Sequence, residues 1–247
     1  FDFIAGGTGS GNVNRAYTVS LLDGLRGGGY EVDTSLEEMY AASREKSHQA
    51  YLKSLESAGD IEKMFASFLP EPRPEEVVPA ASKLRAMAEA NDVAVITLGR
   101  ISGEFLDRTS ADFYLSAAER RLIGEVTAAF HALGKKVVVI LNVGGVIETA
   151  SWKALPDAIL LAWQAGQEGG HALADVLTGA VPFSGHLTDS WPVHYEDIHD
   201  SAHFSHNDGN IIREYYTEDI YVGYRFYDTF SVRPRYAFGY GLSYTSF

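Results

Sequence analysis

The sequence predicts an α/β fold: a mostly parallel sheet with helices on both faces (an α/β sandwich), followed by an irregular tail rich in Tyr and Gly. Between about residues 80 and 179, apolar runs of strand length alternate with segments of helical periodicity. Strands that alternate with helices form parallel sheets that are buried on both faces. After Pro182 the composition changes to Tyr, His, Asp and Gly, which indicates loops and edge strands.

The apolar patterns place the strands and helices in order. Strands are predicted at Val93–Leu98, Val137–Asn142 and Ala158–Trp163. The first two helices are predicted over about Tyr17–Arg26 and from a cap at Thr34 or Ser35 to Ser57. Three more are predicted in the alternating region: one over Ala80–Ala90, one from Ser116 to a stop at Gly134, and one from Gly170 to a stop before Gly179.

The helix after Ser116 has the most complete sequence pattern. Ser116 and Glu119 form a capping box, in which each side chain accepts a hydrogen bond from the other residue's backbone N–H. One face of this helix is apolar and is expected to be buried: Leu122, Ile123, Val126, Phe130 and Leu133.

Two further segments interrupt the alternation. The opening residues, Phe1–Ala5, lack Met and look like the interior of a strand, so we expect a piece of a longer protein. Gly59–Pro79 contains four prolines and is predicted to be a surface excursion with little regular structure, because proline disrupts helix interiors and central strands.

Composition excludes several classes of function. The net charge of −13 argues against nucleic-acid binding, which requires clustered Lys and Arg, and it disfavours anionic membranes. No apolar run approaches the length that spans a bilayer. The absence of cysteine excludes disulfides, thiolate metal sites and a Cys nucleophile, and it leaves the cytoplasm, the periplasm and secretion equally open.

Glu104 is the first candidate for a reacting group. It lies in a short polar loop, flanked by glycine, directly after the strand Val93–Leu98. In open α/β sheets, ligands collect at the carboxyl ends of the strands. Two other loop carboxylates are interpreted as structural, Glu168 as a cap at a helix start and Glu148 as a partner of Trp152.

The glycine-rich segment Gly6–Gly11 does not fit the phosphate-binding patterns. Asn12 occupies the position of the third Rossmann glycine, and no Lys-Ser or Lys-Thr pair follows as in a P-loop. A tight turn is one interpretation. The other is that glycine lets the backbone approach a neutral ligand, with Ser10 offering a hydroxyl.

His199 and His203 have a spacing that could place two imidazoles on one helical face, but the surrounding segment is not convincingly helical. Solvated loop histidines are therefore favoured over a structural metal. A Ser-His-Asp hydrolase is unsupported, because no Gly-x-Ser-x-Gly elbow occurs.

Taken together, the motifs resemble the second, α/β-sandwich domain of glycoside hydrolase family 3, the β-glucosidase family. The resemblance covers nearly the whole chain, and the order and spacing of the motifs are more specific than any one of them. The matching segments are Gly6–Gly11, Ser102–Glu104 with Asp107 and Arg108, Val139–Gly145, Ala162–Gly170, Ala174–Gly179, Ser190–Pro192, Tyr221–Arg225 and Phe238–Thr245.

The resemblance implies a retaining exo-acting β-glycosidase, with β-D-glucosides or oligosaccharides as substrates and no cofactor. Glu104 matches the position of the family's general acid/base, and Ser10 borders the sugar pocket. The family's Asp nucleophile belongs to a preceding barrel domain. Residues 1–247 are then expected to be one sandwich domain that is separated from its barrel and fibronectin-like domains, and inactive alone.

Alternatives remain open on the sequence alone. One is a non-catalytic carbohydrate-binding or scaffold module. Another is the same chemistry on xylosides, N-acetylglucosaminides or arabinosides, and a third is a nucleotide-dependent transferase, which the failed glycine patterns disfavour. The oligomeric state, including a homodimer, is also open.

Overall fold

The computed structural model of the chain describes residues 3–66, 69–105 and 107–244, apart from the side chain of Phe65. The chain divides into two compact units. The first contains Phe1–Asp107, Ser116–Gly145 and Ala154–Thr178, and the second contains Arg108–Leu115, Val146–Lys153 and Gly179–Phe247. Phe1 and Asp2 of the opening segment and Thr245 of the last motif lie outside the described residues.

A parallel three-stranded sheet forms the core of the first unit. Its strands are β1 (Val93–Arg100), β2 (Lys136–Val143) and β3 (Ala158–Leu161), in the order β1-β2-β3. The central strand β2 is almost completely buried beyond its first residue, as the continuous apolar run predicts for a strand covered on both faces. The α/β class with a parallel sheet is therefore confirmed, and each strand end lies within two residues of its predicted position.

The described α-helices follow in chain order. They are α1 (Leu21–Gly27), α2 (Glu37–Glu56), α3 (Asp60–Ala66), α4 (Ala81–Ala90), α5 (Ser110–Phe113), α6 (Ala117–His131), α7 (Gly169–Thr178) and α8 (Tyr224–Thr229). In the first unit α6 packs on β1 and β2, α4 packs on α6, and α1 packs on α7.

The helix α6 begins and packs as its sequence predicts, with one exception. The capping box between Ser116 and Glu119 is present. Four residues of the predicted face are buried: Leu122, Ile123, Val126 and Phe130. The prediction for Leu133 is wrong, because α6 ends at His131 and the Leu133 side chain is 49% exposed. Gly134 then takes a left-handed φ of 70°, as expected of a helix stop.

A buried ion pair joins β1 to the start of α6. Both guanidinium ends of Arg100 donate to Glu119, at 2.6 and 2.8 Å. Burial disfavours the charged carboxylate of Glu119, but the hydrogen bonds and the positive charge of Arg100 outweigh it, so the pKa of Glu119 is lowered. This pair fixes the end of β1, from which the loop carrying Glu104 departs.

Two glycines allow α1 and α7 to approach closely. A Cβ atom on Gly24 would lie 2.1 Å from the carbonyl oxygen of Gly170, and a Cβ on Gly170 would lie 2.1 Å from that of Ser20. The backbone N–H of Val19 also donates to the carbonyl of Gln167 at 2.8 Å. The segment before α1 is thereby held beside the turn that precedes α7.

Two predicted helix starts are wrong. The first helix begins at Leu21, not near Tyr17, because the side chain of Ser20 accepts a hydrogen bond from the backbone of Asp23 and caps it there. The helix α2 begins after Leu36, without a side-chain cap, so neither Thr34 nor Ser35 is its N-cap residue.

Two other segments differ from their predictions. The described part of the opening segment, residues 3–5, is not in a strand and is bonded instead through the side chain of Asn142. Within Gly59–Pro79, the sequence missed α3, whereas residues 69–79 lack helix and strand as predicted; residues 67 and 68 lie outside the described part.

The second unit contains the Tyr- and Gly-rich tail. Its core residues include Phe113, Trp152, Trp191 and Tyr227. An isolated antiparallel bridge links Trp191 to Tyr236, and the described residues after Pro182 otherwise form no strand, so the predicted edge strands are wrong. The tail has short helical turns instead, at Tyr195–Asp197, Phe204–His206 and α8.

Candidate active site

The loop after β1 is attached to the glycine-rich segment through Thr8. The two segments form a parallel bridge between Thr8 and Gly103. The backbone N–H of Thr8 donates to Ser102 at 3.2 Å, and the backbone N–H of Glu104 donates to the carbonyl of Thr8 at 3.4 Å. The buried hydroxyl of Thr8 donates to the carbonyl oxygen of Glu104. The backbone of Glu104 is thus held on both sides by one residue.

The carboxylate of Glu104 receives two hydrogen bonds from Ser10. The Ser10 hydroxyl lies 2.6 Å from Oε1, and the Ser10 backbone N–H lies 2.9 Å from Oε2. Gly9, at φ 62°, makes this approach possible, because a Cβ at that position would lie 2.3 Å from Oε2 of Glu104. The structure therefore brings together the two residues that the sequence analysis selected separately.

These contacts set the protonation of Glu104. The side chain and the backbone N–H of Ser10 both stabilise the carboxylate, and they lower the pKa of Glu104 from its ordinary value although desolvation acts weakly in the opposite direction. The side chain is exposed. At neutral pH, Glu104 of this chain is therefore an ionised, solvent-accessible carboxylate held in one orientation.

Asn142 and Gln164 support this loop cluster from the ends of β2 and β3, and neither role was predicted from the sequence. The buried Asn142 side chain accepts from the N–H of Ile4 at 2.7 Å and donates to the carbonyls of Ile4 and Trp163. Gln164 donates to the carbonyl of Gly6 at 2.9 Å. The sequence feature that could have identified these two residues is their position, because each is a polar side chain at or just beyond the end of an apolar strand.

A second cluster of polar side chains surrounds Glu168, which directly precedes α7. Its carboxylate accepts hydrogen bonds from the hydroxyl of Tyr17 and from the ring of His171, the latter at 2.8 Å. Tyr17 first and then His171 lower the pKa of Glu168. The contacts are to side chains, so Glu168 joins the segment before α1 to α7 instead of acting as a simple cap.

Glu148 is structural, as expected. It is buried in the second unit, where its carboxylate accepts from the hydroxyl of Ser151 at 2.8 Å. The indole N–H of Trp152 donates to the backbone carbonyl of Glu148 at 2.6 Å. Both contacts stabilise the turn that carries the buried tryptophan.

His199 and His203 point to different partners. The ring of His199 stacks on Phe226, with centroids 4.3 Å apart, and His203 pairs with Asp200 at 2.8 Å. Across residues 3–66, 69–105 and 107–244, no group of three or more His, Asp or Glu side chains is arranged to hold a metal ion. Within the same ranges, no helix combines the length and apolarity needed to cross a membrane.

Sequence comparison and structure comparison with known proteins both indicate one family for this chain. A family model described as the glycosyl hydrolase family 3 C-terminal domain matches residues 2–244. Beta-glucosidase A of Butyrivibrio fibrisolvens is 34% identical over 100% of this chain and 31% of its own length. An exo-alpha-(1->6)-L-arabinopyranosidase of Bifidobacterium longum is 37% identical over 65% of this chain and 20% of its own length.

Solved structures of beta-glucosidases have the same fold as this chain. Beta-glucosidase 3B from Thermotoga neapolitana, in complex with glucose, superposes with a TM-score of 0.85 at 42% identity, over 99% of this chain and 33% of that chain. A beta-glucosidase from Paenibacillus barengoltzii superposes with a TM-score of 0.79 at 33% identity. The chain spans about a third of the length of Beta-glucosidase A and of the Thermotoga enzyme. It belongs to glycosyl hydrolase family 3, as the C-terminal domain of that family.

Proposed function

We propose that this chain is the domain that supplies the general acid/base, Glu104, to a retaining exo-acting β-glycosidase, most simply a β-glucosidase. In this proposal residues 1–247 act as one domain, and the Asp nucleophile is carried by a preceding barrel domain of the same enzyme. The observation that carries the proposal is the exposed Glu104 carboxylate, oriented by Ser10 at the end of β1, in a chain whose relatives are named beta-glucosidases.

The chemistry requires two carboxyl groups about 5–5.5 Å apart. In the first step the nucleophile forms a bond to the anomeric carbon, the glycosidic bond breaks, and Glu104 gives its proton to the leaving oxygen. In the second step Glu104 removes a proton from water as the water oxygen attacks the anomeric carbon and releases the nucleophile. One residue thus acts as acid and then as base.

The lowered pKa of Glu104 fits the second step but opposes the first. Proton donation at neutral pH requires a raised pKa, and a second carboxylate nearby is one of the features that raise it. The causes of the shift at Glu104 are the two hydrogen bonds from Ser10 and desolvation. We therefore propose that the negative charge of the nucleophile, on the barrel domain, raises the pKa of Glu104 once the two domains are joined.

A second sugar is supported by one comparison. The exo-alpha-(1->6)-L-arabinopyranosidase of Bifidobacterium longum is 37% identical to this chain over 65% of this chain. An L-arabinopyranoside is therefore the alternative substrate, with the same role for Glu104. The choice between the two sugars rests on the residues that surround the sugar ring in the complete enzyme.

The test is Glu104→Gln in the complete enzyme, assayed on two glucosides whose leaving groups differ. Cellobiose needs a proton on its departing oxygen, whereas the 2,4-dinitrophenolate of an activated aryl glucoside leaves without one. We expect kcat/KM to fall about a hundredfold or more on cellobiose and much less on the activated substrate. Glu125→Gln, on the exposed side of α6, is the control and should match the parent.

Equal losses on the two substrates would reject proton donation by Glu104. Parent-level activity of Glu104→Gln on cellobiose would reject any catalytic role and would favour a non-catalytic binding or scaffold module.

A further inference from the structure

Thr8 is the buried residue of the glycine-rich segment. It is 4% exposed, whereas residues 6, 7 and 9–11 of the same segment are half-buried or exposed. A buried hydroxyl is unfavourable unless it makes a hydrogen bond. The hydroxyl of Thr8 has such a partner in the carbonyl oxygen of Glu104, 96 positions away in the chain. The burial of Thr8 is therefore tied to the position of the candidate acid/base.

Gly103 makes room for the Thr8 side chain. A Cβ atom on Gly103 would lie 2.2 Å from the backbone nitrogen of Thr8 and 2.5 Å from its hydroxyl oxygen. A side chain at that position would therefore push the Thr8 hydroxyl away from the loop after β1. The residue directly before Glu104 is thus a glycine at the point where the hydroxyl of Thr8 lies.

Thr8 holds the peptide units on both sides of Glu104. Its carbonyl accepts a hydrogen bond from the Glu104 N–H at 3.4 Å, and its hydroxyl donates to the Glu104 carbonyl. Because peptide units are planar, φ and ψ are the soft backbone angles of Glu104, and holding both neighbouring units restricts both angles. Those angles set the direction of the Cα–Cβ bond, so Thr8 determines how the Glu104 side chain leaves the backbone.

The hydroxyl of Thr8 is better shielded from water than that of Ser10. The hydrogen bonds from Ser10 to the Glu104 carboxylate are exposed, so water competes for both partners. The hydrogen bond from Thr8 starts from a buried residue, and shielding from water strengthens a hydrogen bond electrostatically. Ser10 therefore orients the end of the side chain, and Thr8 holds its origin on the backbone.

We propose that Thr8 is a positioning residue for the reaction: its hydroxyl fixes the backbone of Glu104, so that the carboxyl group meets the leaving oxygen and then the attacking water. Proton transfer requires a distance of about 2.6–3.2 Å between the heavy atoms. Thr8 acts through Glu104, because the residue is buried and its hydroxyl is bonded to the backbone of Glu104. The inference rests on the proposed function of Glu104 and extends it to the residue that holds the acid/base in place.

The test compares Thr8→Val with Thr8→Ser in the complete enzyme, with cellobiose as substrate. Valine keeps the shape of threonine without the hydroxyl, and serine keeps the hydroxyl. A displacement of about 1 Å can cost about a hundredfold in rate, so we expect kcat of Thr8→Val to fall about tenfold, with KM changed by less than about twofold. Thr8→Ser should stay within about twofold of the parent.

Thr127→Val is the matched control. Thr127 is a buried threonine of α6, and its hydroxyl has no hydrogen-bond partner in the part of the chain that the structure describes. The same substitution at this position should therefore leave kcat and KM at the parent's values.

A double-mutant cycle separates positioning from a general loss of structure. It measures kcat on the activated aryl glucoside, whose leaving group needs no proton, so that kcat reports the attack of water assisted by Glu104. Thr8→Val should lower this kcat about threefold in the parent and should have no further effect in Glu104→Gln. Circular dichroism checks folding. If Thr8→Val does not fold, Thr8→Ser and Thr8→Ala take its place, because they differ only in the hydroxyl.

Three results would overturn the inference: parent-level kcat of Thr8→Val on cellobiose, an equal loss in Thr8→Ser, or the same loss from Thr8→Val in the parent and in Glu104→Gln. Each leaves the role of Glu104 intact as long as Glu104→Gln alone loses activity on cellobiose. Parent-level activity of Glu104→Gln on cellobiose would instead overturn the proposed function, and this inference with it.

Discussion

Ser10 and Glu104 are separated by 94 positions in the chain yet share two hydrogen bonds. Each was visible in the sequence for a local reason, Glu104 as a carboxylate after a strand and Ser10 as a hydroxyl in a glycine-rich turn. Their contact was not visible, because it depends on the bridge between Thr8 and Gly103 and on the close approach of Gly9. Local patterns identified the candidate residues, and tertiary contacts determine their geometry.

Removal of the Ser10 hydroxyl should raise the pKa of Glu104. Ser10 stabilises the charged carboxylate, so Ser10→Ala disfavours ionisation, although the backbone N–H remains. The measurement is an NMR titration of side-chain carboxyl carbons in this chain, with Glu104→Gln to assign the signal. Ser54→Ala, on α2, is the control and should leave the titration unchanged.

The lowered pKa of Glu104 also determines how the stability of the fold changes with pH. A carboxyl whose pKa is lower in the folded state stabilises the fold above its ordinary pKa, and that contribution is lost as the pH falls through the lowered value. Ser10→Ala should therefore weaken the dependence of unfolding on acidic pH. An unchanged or further lowered pKa of Glu104 in Ser10→Ala would contradict the assignment.

Glycine substitutions test the packing of the helices. Gly24→Ala should lower the free energy of unfolding by about 1–3 kcal/mol, because its Cβ would meet the backbone of Gly170. Gly124→Ala is the matched comparison, since Gly124 lies within α6 with open space around it. That substitution should raise the free energy of unfolding by about 0.5–1 kcal/mol.

Urea denaturation of the two variants and the parent measures both effects. A neutral Gly24→Ala would contradict the packing of α1 on α7, and a destabilising Gly124→Ala would contradict the open space around Gly124 in α6.

Strands were easier to predict than helix ends. The run Val137–Asn142 is buried on both faces, so its apolar character alone located β2 within a residue at each end. The start of α1 was misplaced because Ser20 caps the helix and Val19, just before it, bonds outside the helix to Gln167, a contact between distant segments. Asn142 and Gln164 were missed for the same reason: their function is to bind the backbone of loops far away in the sequence.

The 247-residue chain alone should not hydrolyse aryl β-glucosides. A retaining mechanism needs a second carboxyl about 5–5.5 Å from Glu104, whereas, among the described residues, the pKa of Glu104 is shifted by hydrogen bonds from Ser10 and by desolvation and by no neighbouring carboxylate. The assay compares the chain with the complete enzyme at equal concentration. Turnover by the chain at a rate near that of the complete enzyme would contradict the assignment of the nucleophile to another domain.

For the molecule as a whole, the order and spacing of motifs predicted the family, and the composition of the tail predicted that it is irregular but not which turns and short helices it forms. Up to residue 244, the segment after Pro182 forms turns, short helices and a bridge between Trp191 and Tyr236, and the edge strands that were the alternative are absent from this described part. Aromatic and glycine-rich composition does not distinguish short strands from turns, because both bury isolated aromatic rings such as those of Trp191 and Tyr227.

The most direct test of the role of Glu104 is the rescue of Glu104→Ala in the complete enzyme by azide. With an activated aryl β-glucoside, loss of the base should slow hydrolysis of the glycosyl-enzyme, and azide, which needs no base, should take the place of water. We predict faster turnover with azide and a β-glucosyl azide product of retained configuration. The absence of rescue, or an α-glucosyl azide of inverted configuration, would contradict the assignment of Glu104 as the acid/base.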